Sequence, residues 1–200
     1  MKTLDLHIID IVHNSIRAKA TEIVIEMVDS EKQDLLSLKI IDNGCGMPKE
    51  MMDAINETFY SSRPERKIGM GIALLKFHSE LCNGKFHLTS EVGKGTEIYA
   101  DYQRSHIDLQ PKGDLAGCFS NFICQYQDIN FIIRYTTDDD YFELSTADVK
   151  EVFEGMNLND VNIINNLKEF ISENINPCEE KLRYFSLQQQ KQQPTNCRLL

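Results

Sequence analysis

Three short stretches of polar and small residues interrupt helix and strand patterns that are otherwise apolar, and they constrain the fold more than any other feature. They are Asp10-Ile11-Val12-His13-Asn14, Asp42-Asn43-Gly44-Cys45-Gly46 and Gly69-Met70-Gly71. Each alone is weak evidence, because a single Gly-x-Gly is usually a turn and a single aspartate on a helix is usually solvated. In this order and at these separations they can line one pocket. The fold must then bring a helix, the end of a strand and the start of a second helix together.

Length, composition and charge exclude several classes of protein. The 200 residues, 42% of them hydrophobic, are enough to bury the core of one or two domains. No apolar run reaches the ~18 residues of a membrane span and no signal pattern is seen, so we expect a cytoplasmic protein. The six cysteines form no Cys-x-x-Cys pair, which favours free thiols over a zinc or iron–sulfur site. The formal net charge of −10 argues against nucleic acid or an anionic membrane as a partner.

Hydrophobic periodicity predicts alternating helices and strands in the first hundred residues. The predicted helices are 4–18, 49–57 and 71–82, and the predicted strands are 22–27, 35–41, 85–91 and 97–102. The last two strands are joined as a hairpin by Gly93-Lys94-Gly95. This order predicts an α/β fold in which helices cover one face of a mixed sheet.

Beyond Arg104 the glycine-rich stretches stop, but helix and strand patterns continue. Helical patterns cover 114–126, 146–154 and 159–174, and a hairpin pattern covers 130–144. We therefore expect a first domain over 1–104 and a small appended α/β module over 105–175. The polar tract that begins at Ser186 has too little apolar surface to fold, so residues 176–200 are expected to form a disordered tail.

The first helix places several polar side chains on one face. Asn14 has an oxygen that can ligate Mg²⁺, and Asp10, one turn earlier, can hold a water or hydroxyl nucleophile near the same ion. Arg17, one turn after Asn14, is a candidate phosphate ligand. For this helix alone, an exposed polar face is the favoured interpretation.

Each of the two glycine-containing stretches can be interpreted either as part of a nucleotide site or as a purely structural turn or helix start. Asp42 directly follows an apolar strand, where its carboxylate can accept a hydrogen bond from the exocyclic amine of adenine, and Gly44 and Gly46 let the backbone pass close under a flat ring. A strand-ending turn is the alternative. Gly69 and Gly71 open a helix whose free amides attract phosphate, although a helix start with nothing bound gives the same pattern.

Together these residues resemble the superfamily that joins DNA gyrase B, the large heat-shock chaperones, sensor histidine kinases and MutL (GHKL). Residues 6–23 are similar to its first box in the MutL and gyrase type. This similarity assigns Asp10 to the catalytic acidic residue and Asn14 to Mg²⁺. Residues 42–47, through Met47, resemble its adenine-binding box, which assigns Asp42 to the adenine amine. The resemblance covers roughly residues 4–103 and implies the two-layer α/β sandwich of the histidine-kinase-like (Bergerat) type, with a mostly antiparallel sheet.

Two later stretches extend the resemblance to sensor kinases. Residues 59–64 and 69–76 look like their lid and second glycine box, and residues 92–96 look like their closing hairpin, in which Thr96 helps to line the adenine pocket. The whole chain is most similar to small stand-alone ATP-binding proteins of anaerobic bacteria.

Two departures from the superfamily pattern concern the mechanism. Position 10 is aspartate where hydrolysing members use glutamate, so its carboxylate reaches less far and we expect slow hydrolysis. Only 21 residues separate Met47 from Gly69, which is short for a lid. Arg63, Arg66 and Lys67 cluster there, either as a solvated basic loop or, as we prefer, as a lid that neutralises the β- and γ-phosphates.

The sequence leaves three functions open. The first is a Mg²⁺-dependent ATPase with a regulatory role, and the second is a protein kinase that acts in trans on serine, threonine or histidine. The third is a non-catalytic nucleotide-sensing adaptor that docks a protein partner through 105–174. Only three residues precede the first helix, so we do not expect histidine autophosphorylation in cis. A homodimer is compatible with the sequence but is not indicated by it.

Overall fold

Residues 2–57 and 70–175 are described by the computed structural model, in which six helices and six strands follow one another. The helices are α1 (Leu4–Arg17), α2 (Lys49–Glu57), α3 (Met70–Leu81), α4 (Leu115–Gln125), α5 (Thr146–Val152) and α6 (Val161–Ile175). The strands are β1 (Glu22–Ser30), β2 (Leu35–Asp42), β3 (Phe86–Glu91), β4 (Gly95–Gln103), β5 (Asn130–Thr137) and β6 (Tyr141–Ser145). Arg63, Arg66, Lys67 and Gly69 of the predicted lid and glycine box lie outside the described residues, as does the predicted tail over 176–200.

The six strands form one sheet in the order β3-β4-β2-β1-β5-β6. Four of the neighbouring pairs are antiparallel, and only β1 and β5 run parallel. The predicted mixed, mostly antiparallel sheet is therefore confirmed. In its register Asp42 at the end of β2 lies opposite Thr96 on β4, which brings the second stretch beside the β3–β4 hairpin.

One face of this sheet is buried against the helices. Alternate residues of the strands point into this core because successive strand side chains point to opposite faces; Ile25, Leu38 and Ile133 are each at most 1% exposed. The apolar face of α1 packs on them with Leu4, Ile8, Ile11 and Val12. Each such aliphatic side chain contributes about 1.5–3 kcal/mol when it is fully buried.

The opposite face of the sheet carries charged side chains. Arg134 on β5 pairs with Glu26 at 2.7 Å and with Glu143 at 2.8 Å, and Lys39 pairs with Glu97 at 3.3 Å. These ion pairs are partly exposed, so they contribute little to stability. This asymmetry confirms helices over one face of the sheet.

The region beyond residue 104 continues the same sheet and core. Strand β5 pairs with β1 from Glu22 to Asp29, and the buried helix α4 packs on both α6 and α1. The rings of Phe122 and Phe131 stack with centroids 5.5 Å apart. The segment expected as an appended module is thus joined to the first hundred residues by shared strands, while its status as a separate folding unit stays a prediction.

A buried aspartate, Asp29 on β1, holds the segment before α4 against the sheet. Arg104 donates to Asp29 at 2.5 Å, and Lys112 donates to its other oxygen. Burial alone would raise the pKa of Asp29, but the hydrogen bonds from Lys112 and Arg104 outweigh it and lower that pKa. The segment that leads into α4 is therefore held against β1 by charge. No helix in the described residues is long and apolar enough to cross a bilayer.

Candidate functional site

The carboxylate of Asp42 is held in place from two sides. Ser15 on α1 donates its hydroxyl to one oxygen at 2.6 Å, and the backbone N–H of Gly44 donates to the other at 2.9 Å. The residue is 9% exposed. A carboxylate oxygen has two lone pairs, so each oxygen of Asp42 keeps acceptor capacity for a ligand.

The turn after Asp42 passes closely under the β3–β4 hairpin. Gly46 has φ +66°, and a Cβ built on it would lie 2.1 Å from the carbonyl oxygen of Glu91. Only glycine fits both constraints. The carbonyl of Cys45 accepts from Gly93 N–H at 2.9 Å, and Cys45 N–H donates to Ala18 at 2.9 Å. The turn is therefore fixed to α1 on one side and to the hairpin on the other.

Ser90 on β3 joins the turn, the hairpin and β4. Its hydroxyl donates to the carbonyl of Gly95 at 2.9 Å, accepts the backbone N–H of Met47 at 2.8 Å, and lies 2.9 Å from the hydroxyl of Thr96. Since a hydroxyl has one hydrogen, the Thr96 hydroxyl is the donor in the last bond. Sequence reasoning missed both Ser90 and Ser15, and the only available signals were that Ser90 faces Thr96 in the predicted hairpin and that Ser15 follows Asn14.

Asp10 lies against the start of α3. A Cβ built on Gly71 would lie 1.7 Å from Oδ2 of Asp10, so the absent side chain is what lets the carboxylate approach the first turn of that helix. The free amides of a helix start favour negative charge there. The structure thus brings the first and third stretches into contact, at Asp10 and Gly71.

An apolar cavity of about 310 Å³ lies between α1, the turn after β2, α2, α3 and β4. Its size is within the range of small-molecule sites. It is lined by Ile11, Asn14, Ser15, Arg17, Ala18, Asp42, Cys45, Gly46, Met47, Met51, Ile55, Ile72, Thr96 and Ile98. Of the predicted site residues, six line this cavity: Asn14, Arg17, Asp42, Gly46, Met47 and Thr96. Asp10, Gly44 and Gly71 lie beside it, whereas Arg63, Lys67 and Gly69 are outside the described residues.

The lining of the cavity is chemically suited to a flat apolar ring and to Mg²⁺. Ile55, Ile72 and Ile98, between 2% and 7% exposed, offer apolar walls for a flat ring, and Asp42 is the acceptor among them. The described ranges hold no group of three His, Cys, Asp or Glu side chains that could bind a metal by themselves. A site with the single oxygen of Asn14 suits Mg²⁺, which typically completes its shell with phosphate oxygens and water.

Arg17 donates to the side-chain oxygen of Asn14 at 3.0 Å. This is the oxygen that the family resemblance assigns to Mg²⁺. Because Arg17 is exposed, its side chain can move to a phosphate without loss of packing. The pair therefore places one exposed positive charge beside the Asn14 oxygen at the cavity wall.

A buried histidine lies behind the contact between α1 and α3. His7 is fully buried, its Nε2 lies 3.1 Å from Oε1 of Gln110, and its ring centroid lies 5.4 Å from that of His78. Burial, with a smaller contribution from His78, lowers the pKa of His7 to about 4. His7 is thus a neutral core residue at neutral pH, and it connects both helices of the site to the segment before α4.

Comparison with known proteins gives one family match and several partial similarities. Residues 2–105 match the model of the family described as histidine kinase-, DNA gyrase B-, and HSP90-like ATPase. Sporulation kinase D of Bacillus subtilis is 38% identical over 61 residues, which are 30% of this chain and 12% of that protein. A putative sensor protein of Shewanella frigidimarina is 30% identical over 93 residues, which are 46% of this chain and 14% of that protein. The chain thus spans only a small part of the curated relatives that it matches.

Two solved structures are similar over more of the chain at low identity. The match to the N-terminal domain of a DNA repair protein covers 78% of this chain and 58% of that protein's chain, with a TM-score of 0.47 and 17% identity. The match to the MutL ATPase domain of Aquifex aeolicus complexed with ADP covers 77% of this chain and 70% of that domain's chain, with a TM-score of 0.46 and 17% identity.

Proposed function

Because the chain belongs to the family of histidine kinase-, DNA gyrase B- and HSP90-like ATPases, we propose that it binds ATP with Mg²⁺ and hydrolyses it slowly in a regulatory role. The observation that carries this proposal is the Asp42 carboxylate, held by Ser15 and Gly44 at the wall of an apolar cavity of about 310 Å³. A charged acceptor fixed in a low-dielectric pocket selects an amine donor on a flat ring.

Adenine binds in the apolar part of the cavity. Asp42 accepts a hydrogen bond from the exocyclic amine, and Ile98 and Met47 contact the ring faces. A hydrogen bond to a charged acceptor is worth about 1.5–3 kcal/mol, so its loss reduces affinity roughly tenfold to hundredfold. Thr96, whose hydroxyl is engaged by Ser90, is a wall of this pocket.

The triphosphate extends toward α1 and the start of α3. Arg17 and the backbone at Gly71 face it, and we assign Arg63, Lys67 and Gly69, which lie outside the described residues, to the same role. Asn14 would hold Mg²⁺, which supplies charge neutralisation on the phosphate oxygens when bound. Asp10 accepts the proton of the attacking water as a general base, and its short side chain makes this step slow.

The proposal is tested with purified protein, Mg²⁺ and ATP. Asp42→Asn removes the hydrogen bond from the exocyclic amine and also points an amide donor at that amine, so nucleotide binding measured by titration calorimetry is expected to be lost. Asp10→Asn is expected to keep binding and to abolish phosphate release. Asp128→Asn, at an exposed residue away from the cavity, is the matched control and should change neither. Normal ATP binding by Asp42→Asn contradicts the site assignment.

A second function, phosphotransfer to a protein in trans, has support from the similarity to a sporulation kinase. In that case Asp10 takes the proton of an acceptor side chain rather than of water. Binding without phosphate release, followed by transfer of labelled phosphate to an added protein, distinguishes the kinase. Binding with neither outcome supports a nucleotide-sensing adaptor that docks a partner, or a second copy of itself, through 105–174.

A further inference from the structure

A second apolar concavity, here named the C-terminal groove, lies between α5, α6 and β6. It has a volume of about 310 Å³ and is lined by Leu144, Asp148, Val149, Val152, Phe153, Asn166, Leu167 and Phe170. Leu144, Val149 and Leu167 form its floor and are at most 8% exposed, whereas Val152 on α5 is 75% exposed and Phe170 on α6 is 47% exposed. The groove lies beyond the residues that match the family model. It is therefore separate from the nucleotide cavity.

The surface around the C-terminal groove is acidic. Residues 141–175 contain seven acidic and two basic side chains. Both lysines are already engaged: Lys150 donates to the carbonyl of Gln127 at 2.6 Å and Lys168 pairs with Asp114 at 2.5 Å. Glu151 on α5 is exposed next to the lining residue Val152, and Glu173 on α6 is exposed three residues after the lining residue Phe170. A segment that fits the groove should thus combine large apolar side chains with positive charge.

The chain itself contains such a segment shortly after α6. Residues 181–187 read Lys-Leu-Arg-Tyr-Phe-Ser-Leu, with four apolar or aromatic side chains, two basic ones and no acid. The 25 residues after α6 contain four basic and two acidic residues, in a protein whose formal net charge is −10. Charge and apolar content are complementary to the groove.

The distance back to the groove is short. Ile175 ends α6, and Phe170 lies five residues earlier on the same helix, about 8 Å away at the helical rise. Residues 176–181 span at most about 20 Å when extended, which exceeds this distance. Pro177 has no amide hydrogen with which to continue the helix. The chain is therefore long enough to turn back over the groove.

We propose that residues 181–187 dock in the C-terminal groove of the same chain. Leu182 and Phe185 cover the apolar floor, and Lys181 and Arg183 face the acidic rim. A short tether gives an effective concentration on the order of millimolar, so even a segment that binds weakly as a free peptide occupies the groove in cis.

The absence of tryptophan from the chain gives a direct test. Phe185→Trp introduces a single indole into the full chain, whose emission moves to shorter wavelength and whose quenching by acrylamide decreases when it is buried. We expect both changes relative to the same protein in denaturant, at every protein concentration. Tyr184→Trp repeats the measurement with Phe185 intact, in case the first substitution itself weakens docking.

Two exposed valines provide the groove variant and its control. Val152→Arg, added to Phe185→Trp, places a bulky positive charge on the groove wall and is expected to abolish the emission shift. Val161→Arg alters a valine that is 69% exposed on α6 but does not line the groove, and it should leave the shift unchanged. Circular dichroism checks that both variants keep the fold.

The other outcomes overturn the proposal. Solvent-exposed emission for both Phe185→Trp and Tyr184→Trp shows that the segment does not dock. A shift that disappears on dilution shows that a second copy supplies the segment. A shift that survives Val152→Arg, or is lost equally in Val161→Arg, places the segment elsewhere.

Discussion

Gly71→Ala should slow phosphate release while leaving the stability of the fold nearly unchanged. A Cβ at position 71 would lie 1.7 Å from Oδ2 and 2.6 Å from Cγ of Asp10, so the carboxylate must rotate away from the start of α3. The rotation costs about 0.5–1.5 kcal/mol if it leaves a preferred rotamer. Alanine in place of glycine in a helix increases the free energy of unfolding by about 0.5–1 kcal/mol. The two changes nearly cancel, so the free energy of unfolding should stay within about 1 kcal/mol of the parent.

Catalysis should respond much more strongly. Displacement of a general base reduces the rate by roughly 10²–10⁴-fold. Phosphate release is measured with saturating ATP, nucleotide affinity by calorimetry, and stability by urea denaturation of the same samples. We expect phosphate release to fall, with nucleotide affinity and the urea midpoint nearly unchanged.

A double-mutant cycle identifies the cause. In an Asp10→Ala background there is no carboxylate to displace, so Gly71→Ala should become slightly stabilising and should leave nucleotide affinity unchanged. If Gly71→Ala still weakens nucleotide binding in that background, the glycine serves the approach of the ligand rather than that of Asp10, and the reasoning is refuted.

Three further predictions concern the turn, the buried serine and the buried histidine. Gly46→Ala should destabilise the protein by more than about 1 kcal/mol in urea melts, because φ is +66° and the new Cβ would lie 2.1 Å from the carbonyl oxygen of Glu91. Ser15→Ala leaves an oxygen of the buried Asp42 without its donor, so the free energy of unfolding should fall by about 1–3 kcal/mol, with weaker ATP binding in calorimetry. The pKa of His7 falls from 6.5 to about 4 on folding, so the unfolded state binds more protons between these values. The free energy of unfolding measured by urea melts should therefore decrease by at most about 3 kcal/mol as the pH falls from 7 to 4. This decrease should be smaller in His7→Gln.

Each of these predictions has a control elsewhere in the chain. Gly93→Ala changes a glycine with φ +82° and nothing within 4 Å of its Cβ, so it isolates the backbone cost and should be milder than Gly46→Ala. Ser120→Ala removes a buried hydroxyl that bonds a helix carbonyl, and it should leave ATP binding intact. His87→Gln changes an exposed histidine and should keep the full pH dependence. Equal effects from test and control variants contradict the corresponding argument.

The sequence predicted the elements and the placement of its polar stretches better than the contacts between them. Helices and strands were readable because apolar periodicity is local, and Asp42 could be placed because a turn directly follows an apolar strand. The contact of Asp10 with Gly71 depends on how two helices pack, which no local pattern encodes. The binding roles of these residues remain predictions.

The missed features are those made by residues distant in sequence. The sequence signals at Ser15 and Ser90 are weak, since most serines are solvated, and only the fold brings these residues to Asp42 and Met47. The parallel pairing of β5 with β1 was also missed, because strand patterns give no partner. Strand patterns therefore do not connect the region beyond residue 104 to the first sheet, and its status as a separate module stays a prediction.

The parallel pairing of β1 with β5 has a consequence for any attempt to isolate the nucleotide-binding part. A fragment that ends at residue 104 lacks β5, so β1 becomes an outer strand with the main-chain N–H and C=O groups of Glu22–Asp29 unpaired on one side. Open strands of this length recruit other chains. Such a fragment should self-associate through main-chain pairing, and its oligomers would say nothing about the assembly of the 200-residue chain.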